Sequence, residues 1–154
     1  MTKTEFESYC FLRLYASDLN TAIHAIATLK RYRKADVQVA LLRDIAVTYA
    51  RPFSNNRGNE HRKHKLDPKH VPSHAMALHE HLLKLRNSQF AHTDLTVHNP
   101  KVAKFGTKEN LWYPMSLKSF DYQGLLRRVP EIRALIKAVE ENLRTEIRQY
   151  EQRF

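Results

Sequence analysis

The chain has 154 residues, with 26 Lys and Arg against 16 Asp and Glu, and so a formal net charge of +10. That length fits one domain, 1–154, with its own core, and 42% hydrophobic and 27% charged residues exclude a disordered chain. A single cysteine, Cys10, excludes an internal disulfide framework and a four-cysteine zinc site.

The opening MTKTEFESYC lacks the apolar stretch of a secretory signal. No run approaches the ~18 apolar residues of a membrane span. Together with the lone cysteine this predicts a cytoplasmic protein with no membrane partner. The basic excess attracts polyanions, of which nucleic acid is the most abundant.

Only Gly58, Gly106 and Gly124 are glycine. Apolar residues recur at three- and four-residue steps, which predicts an all-α domain of about five helices with a long basic loop. The first helix covers 2–16, with Phe6, Tyr9 and Cys10 on one side. A second opens after Ser17 or Asp18, both good N-caps, and turns Leu19, Ile23 and Ile26 inward before fraying into 30–34. A third spans 36–50 through Val37, Leu41 and Ile45 and stops before Pro52.

Residues 52–72 read as a loop, broken by Pro52, Gly58, Pro68 and Pro72 and rich in Lys, Arg and His. Loops of this length inside a domain are usually functional or mobile. Helix four opens at Ser73 and carries Leu78, Leu82 and Leu85. Residues 95–120 form an irregular connection containing Pro100, Gly106 and Pro114. The last helix covers 121–152 through Leu125, Val129, Ile132, Ile136, Val139, Leu143, Ile147 and Tyr150. Pro130 is tolerated in its first turn or kinks it.

Nine histidines raise the question of a metal. His79 and His81 are two apart rather than four, and His70 and His74, four apart, straddle Pro72 and lack the glutamate of a zinc protease. No bound metal or other cofactor is therefore predicted. Three glycines cannot build a phosphate-binding loop, and no nucleophile elbow is present.

Arg86 and His92 are the pair that metal-free RNA cleavage needs. A histidine titrating near ~6.5 exchanges a proton with the ribose 2′-hydroxyl or the leaving oxygen. An arginine grips the scissile phosphate with two N–H groups. Spacing alone is weak, because 14 arginines and nine histidines supply about two or three such pairs by chance. Arg57 and His64, within the basic loop, are a second pair. The bland alternative makes Arg86 a solvated cation closing a helix and His92 a cap for its last carbonyls.

The run Leu85-Arg86-Asn87…Ala91-His92-Thr93-Asp94, closing an amphipathic helix, resembles the HEPN superfamily of small all-α domains. Their signature is an arginine, four to six residues and a histidine, often with a polar residue after the arginine, which is Asn87 here. Tyr49-Ala50-Arg51-Pro52-Phe53-Ser54 also looks like the abortive-infection branch. The resemblance implies a HEPN-like helical bundle acting as a homodimeric, metal-independent endoribonuclease, a toxin or phage-defence effector with a possible antitoxin protein. It makes Arg86 the phosphate ligand, His92 the acid–base residue and Asn87 the residue that orients one of them or the RNA. Arg51, Arg57 and His64 are candidate RNA contacts, with a merely flexible loop the alternative for Arg57 and His64. One branch carries, two places after the histidine, a tyrosine modified by a partner nucleotidyltransferase; this chain has Asp94 there.

Six α-helical steps of ~100° leave Arg86 and His92 about 120° apart. They meet at one phosphate only if the helix ends near Phe90 or a second subunit completes the site. A non-catalytic helical module that binds RNA or protein is the alternative reading, and a small-ligand or nucleotide-binding subunit of a larger enzyme a weaker third. Trp112 and Tyr113 are either base-stacking residues or, beside Pro114, core or lid.

Overall fold

The computed structural model describes residues 2–59, 62–91 and 95–153. It is mainly α. Six α-helices occur among the described residues, one of them a single turn, where about five were expected: α1 (Lys3–Leu29), α2 (Ala35–Ala50), α3 (Met76–Lys84), α4 (Leu95–His98), α5 (Tyr122–Arg127) and α6 (Val129–Glu151).

The two helices expected before residue 30 are one. α1 opens on a capping box, Thr2 Oγ1 accepting from the Glu5 amide at 3.2 Å and Glu5 Oε2 from the Thr2 amide at 2.7 Å. Ser17 and Asp18 do not cap a second helix, because no Gly or Pro interrupts the ladder and both are accommodated on its surface. The Ser17 carbonyl accepts from Thr21 Oγ1, and Asp18 pairs with Arg51. The buried stripe runs Leu12, Tyr15, Leu19, Ala22, Ile26 and Leu29 along the C-terminal two thirds of the helix. Phe6, expected on the apolar side, is exposed.

α1 lies against α2 and α6, α3 and α5 both touch α2 and α6, and the buried residues form one apolar cluster. In α2 the fully buried positions are Leu42, Ile45, Ala46, Thr48, Tyr49 and Ala50, while Val37 and Leu41 are half-buried. The helix expected over 121–152 breaks at Arg128 into α5 and α6. Pro130 sits in the first turn of α6, where the amide it lacks has no helical partner to lose. From Val129 to Ile147 the expected stripe is buried.

The 52–72 segment is held down at intervals. Phe53, Leu66 and Val71 are buried in the core, and the Leu66 amide donates to the Pro52 carbonyl at 2.7 Å. Two short strands, β1 (Asn56–Arg57) and β2 (Lys63–His64), pair antiparallel, and a 3₁₀ turn covers Pro68–His70. His70 is buried against α6: its Nε2 lies 3.0 Å from Glu146 Oε2, and Asn142 Nδ2 donates to its carbonyl at 2.8 Å. Ser73 starts a second 3₁₀ turn, so α3 proper begins three residues later than its expected cap.

The irregular connection also proves ordered. Four strands, β3 (Lys101–Val102), β4 (Phe105–Thr107), β5 (Asn110–Trp112) and β6 (Met115–Ser116), pair β3 with β6 and β4 with β5. They are local hairpin ladders on a helical body.

Buried histidines give the fold an acid-sensitive side. His79 shares a 2.8 Å hydrogen bond between its Nδ1 and Tyr49 Oη, and Phe53 meets its ring edge-on at 4.5 Å. Burial holds His79 below the ordinary histidine value, Glu80 opposing it; at His70 burial also dominates over the attraction of Glu146. With folded values below unfolded ones, the unfolded chain takes up protons first as pH falls. Stability is therefore expected to drop as pH falls through about 6.5. Urea midpoints at about pH 7.5 and about pH 5.5 test this, and His79→Gln should flatten the slope.

Candidate functional site

α3 buries Leu78, His79 and Leu82 and leaves Glu80, His81 and Lys84 on its outer side. Beyond Lys84 the ladder widens, and Leu85–Phe90 form a π-helix that ends with the Ala91 amide donating to the Arg86 carbonyl at 2.8 Å. Such turns are rare and concentrate at functional sites. Two neighbouring side chains favour the widening. Ser88 Oγ donates to the Lys84 carbonyl at 2.7 Å, competing for the acceptor of a regular α turn. The Phe90 ring meets Phe120 edge-on at 5.1 Å and fixes the far end.

Arg86 is half-buried on this turn, and its Nη1 donates to Asn87 Oδ1 at 2.8 Å. The side chain after the arginine thus holds one N–H of the guanidinium. The helical ladder stops at Phe90, one of the two conditions under which Arg86 and His92 can meet at one phosphate. His92, with Thr93 and Asp94, lies outside the described residues.

A groove of about 770 Å³ opens beside the π turn. Leu85, Ser88, Gln89, Phe120 and Leu125 line it, Lys84, Lys118 and Arg128 add positive charge, and His81 adds an imidazole. Burial, then the charges of Arg128 and Lys84, hold the His81 imidazole below its ordinary value. The acids nearby are engaged: Asp121 Oδ1 accepts from the Gly124 amide at 2.9 Å, and Glu131 pairs with Arg128 at 3.1 Å. These four basic residues escaped the sequence reading because they come from three separate stretches. The only sequence signal was the three-residue step from His81 to Lys84, which sets them on one side of α3.

The other candidates lie elsewhere. Arg51 pairs with Asp18 at 3.5 Å. Burial raises the Asp18 carboxyl, and Arg51 partly offsets that. Arg57 lines a second groove, along the first turns of α1, that shares no lining residue with the first. His64 is taken up inside the fold: its Nε2 lies 2.9 Å from Glu7 Oε1, and its ring stacks on Phe11 at 4.1 Å and 13°. Glu7 Oε1 also accepts from the Asn59 amide at 2.8 Å, so one carboxylate ties the β1–β2 hairpin to α1. Glu7→Ala is expected to speed hydrogen exchange at Asn59 by about tenfold or more, since it removes a charge-assisted hydrogen bond. Exchange read by NMR checks this; an unchanged Asn59 amide would mean that the hairpin holds without Glu7.

Among the described residues, no group of three or more His, Cys, Asp or Glu side chains is placed to hold a metal ion, and no helix is long and apolar enough to cross a membrane. A scan against protein-family models matches none of them, and searches of the curated proteins and of the solved structures find no similar chain.

Proposed function

We propose that the protein is a HEPN-type, metal-independent endoribonuclease of the cytoplasm, a toxin or phage-defence effector that works as a homodimer and is open to control by an antitoxin protein. The observation that carries this reading is the π turn, which carries Arg86 braced by Asn87 and whose Leu85, Ser88 and Gln89 line a basic groove. Arg86 grips the scissile phosphate and offsets charge growing on its oxygens. His92 takes the proton as the ribose 2′-oxygen attacks phosphorus. The bond from phosphorus to the 5′-oxygen breaks, and that oxygen takes a proton from a second acid, the other subunit's copy of the histidine in a symmetric site. One fragment carries a 2′,3′-cyclic phosphate and the other a 5′-hydroxyl.

End-labelled total RNA and tRNA, incubated with the purified protein in excess EDTA beside Arg86→Ala and His92→Ala, test the proposal. Cleavage by the unsubstituted protein alone, with cyclic-phosphate ends, supports it. Cleavage without such ends, or equal cleavage by all three, overturns it. A non-catalytic RNA-binding module is the second reading, favoured by the groove itself, whose charge attracts a polyanion without any chemistry. Retained binding with no cleavage would select it.

A further inference from the structure

Residues 101–113 are exposed without a break. They belong to one antiparallel hairpin in which Lys101 faces Ser116, Val102 faces Met115, and Phe105 faces Trp112. The Ala103 amide, donating to the Pro114 carbonyl at 3.0 Å, joins the inner and outer ladders. Gly106, at φ 108°, sits where a Cβ would collide with the Asn110 carbonyl, so the close approach of the strands requires glycine. At the base, the Lys118 amide donates to the His98 carbonyl at 2.8 Å.

The hairpin carries three aromatic rings in the open: Phe105 is 51% exposed, Trp112 57% and Tyr113 58%. Phe105 and Trp112, directly opposite, share a face with centroids 5.3 Å apart and planes 32° apart. Rings of this size normally end in a core, and a cluster of exposed apolar groups marks a surface that something covers. The charge around them says what. Residues 95–120 hold Lys101, Lys104, Lys108 and Lys118 against Glu109 alone. A second copy's arm laid on this one would set these lysines against lysines of its own. Aromatic faces interleaved with lysines match a strand that presents bases and phosphates together.

We propose that this hairpin is an arm for single-stranded RNA: bases stack on the Phe105–Trp112 face while Lys101, Lys104 and Lys108 hold the phosphates. The arm joins the groove at its base, where Thr96, Val97 and Lys118 line it together with Ser88 and Gln89. A strand bound on the arm is thereby led toward the turn that carries Arg86. The proposal rests on RNA as the ligand in the reading above and not on the chemistry of Arg86.

Trp112 is the only tryptophan in the chain, so fluorescence excited selectively at tryptophan reports this site alone. The probe is a 2′-O-methyl oligouridylate of about 12 nucleotides, which has no 2′-hydroxyl to attack and stays intact. The expected result is saturable quenching, with binding that weakens as salt rises. Phe105→Ala and Trp112→Ala should each weaken binding of the fluorescein-labelled oligonucleotide, read by anisotropy, by about tenfold, with far-UV circular dichroism unchanged. Binding without quenching, or no binding, overturns the proposal. So does a Trp112 emission that shifts to the blue with protein concentration alone while sedimentation reports a dimer, an outcome that gives the arm to a second copy. Quenching without cleavage of natural RNA removes the ribonuclease and keeps the arm; cleavage without quenching does the reverse.

Discussion

Arg86→Ala is expected to lower the rate of RNA cleavage in excess EDTA by about 10²–10³-fold, the usual cost of removing one preorganised donor from a site of developing charge. The loss should fall on kcat more than on KM, because the groove cations Lys84, Lys118 and Arg128 still attract RNA when Arg86 is gone. Arg86→Lys should not restore the rate, since a lysine is a point charge and cannot make the two-pronged contact. Asn87→Ala keeps the guanidinium but removes its 2.8 Å brace, and should cost less than Arg86→Ala. Initial rates on one end-labelled RNA rank the three. If Arg86→Ala cleaves as fast as the unsubstituted protein, Arg86 is the solvated helix-closing cation of the bland reading.

The largest expected effect on stability is at Tyr49. Its side chain is fully buried beside Phe53 and His79, and burial pushes its phenol well above the ordinary tyrosine range, so it stays neutral. Tyr49→Ala removes a large ring and leaves a cavity, at about 3–5 kcal/mol by comparison with other buried aromatics. That is a large share of the ~5–15 kcal/mol that holds a typical domain together. Tyr49→Phe keeps the ring and withdraws only the hydroxyl from His79 Nδ1, which should cost about 1–3 kcal/mol. Urea unfolding of both, and of each with His79→Gln, gives the coupling between the two side chains. Coupling near zero would mean that the 2.8 Å hydrogen bond contributes nothing beyond ring packing.

What was legible in the sequence was the periodic part. The step of threes and fours from Val129 to Ile147 is the buried face of α6, because an apolar stripe that long has only one helical side to occupy. Ser17 and Asp18 misled for a physical reason: a cap residue offers an end, but nothing terminates a helix when the residues beyond it continue the stripe. The 52–72 loop looked unanchored because Phe53, Leu66 and Val71 are too far apart to show a period, and each enters the core singly. The arm was hidden by its turn, Lys108–Glu109, which lacks the Asn-Gly or Gly signature of tight hairpins. At the candidate site the Arg86–Asn87 pair was readable, whereas the π turn depends on a Ser88 back-bond and a Phe90–Phe120 contact across 30 residues.

The seam between α1 and α6 also sets an order of events. Glu151 Oε1 accepts from Tyr9 Oη and from Arg13 Nη1, contacts that close 142 and 138 residues of chain. α1 and α2, joined by a short turn, can collapse on each other as soon as both are made. The stripe from Leu12 to Leu29 is then covered on one flank only until α6 arrives. Because closing so long a loop is slow compared with forming a local helix pair, docking of α6 is expected to set the folding rate. Until it happens, the nascent chain carries a half-open apolar spine, and a chaperone that holds newly made chains would find its handle there.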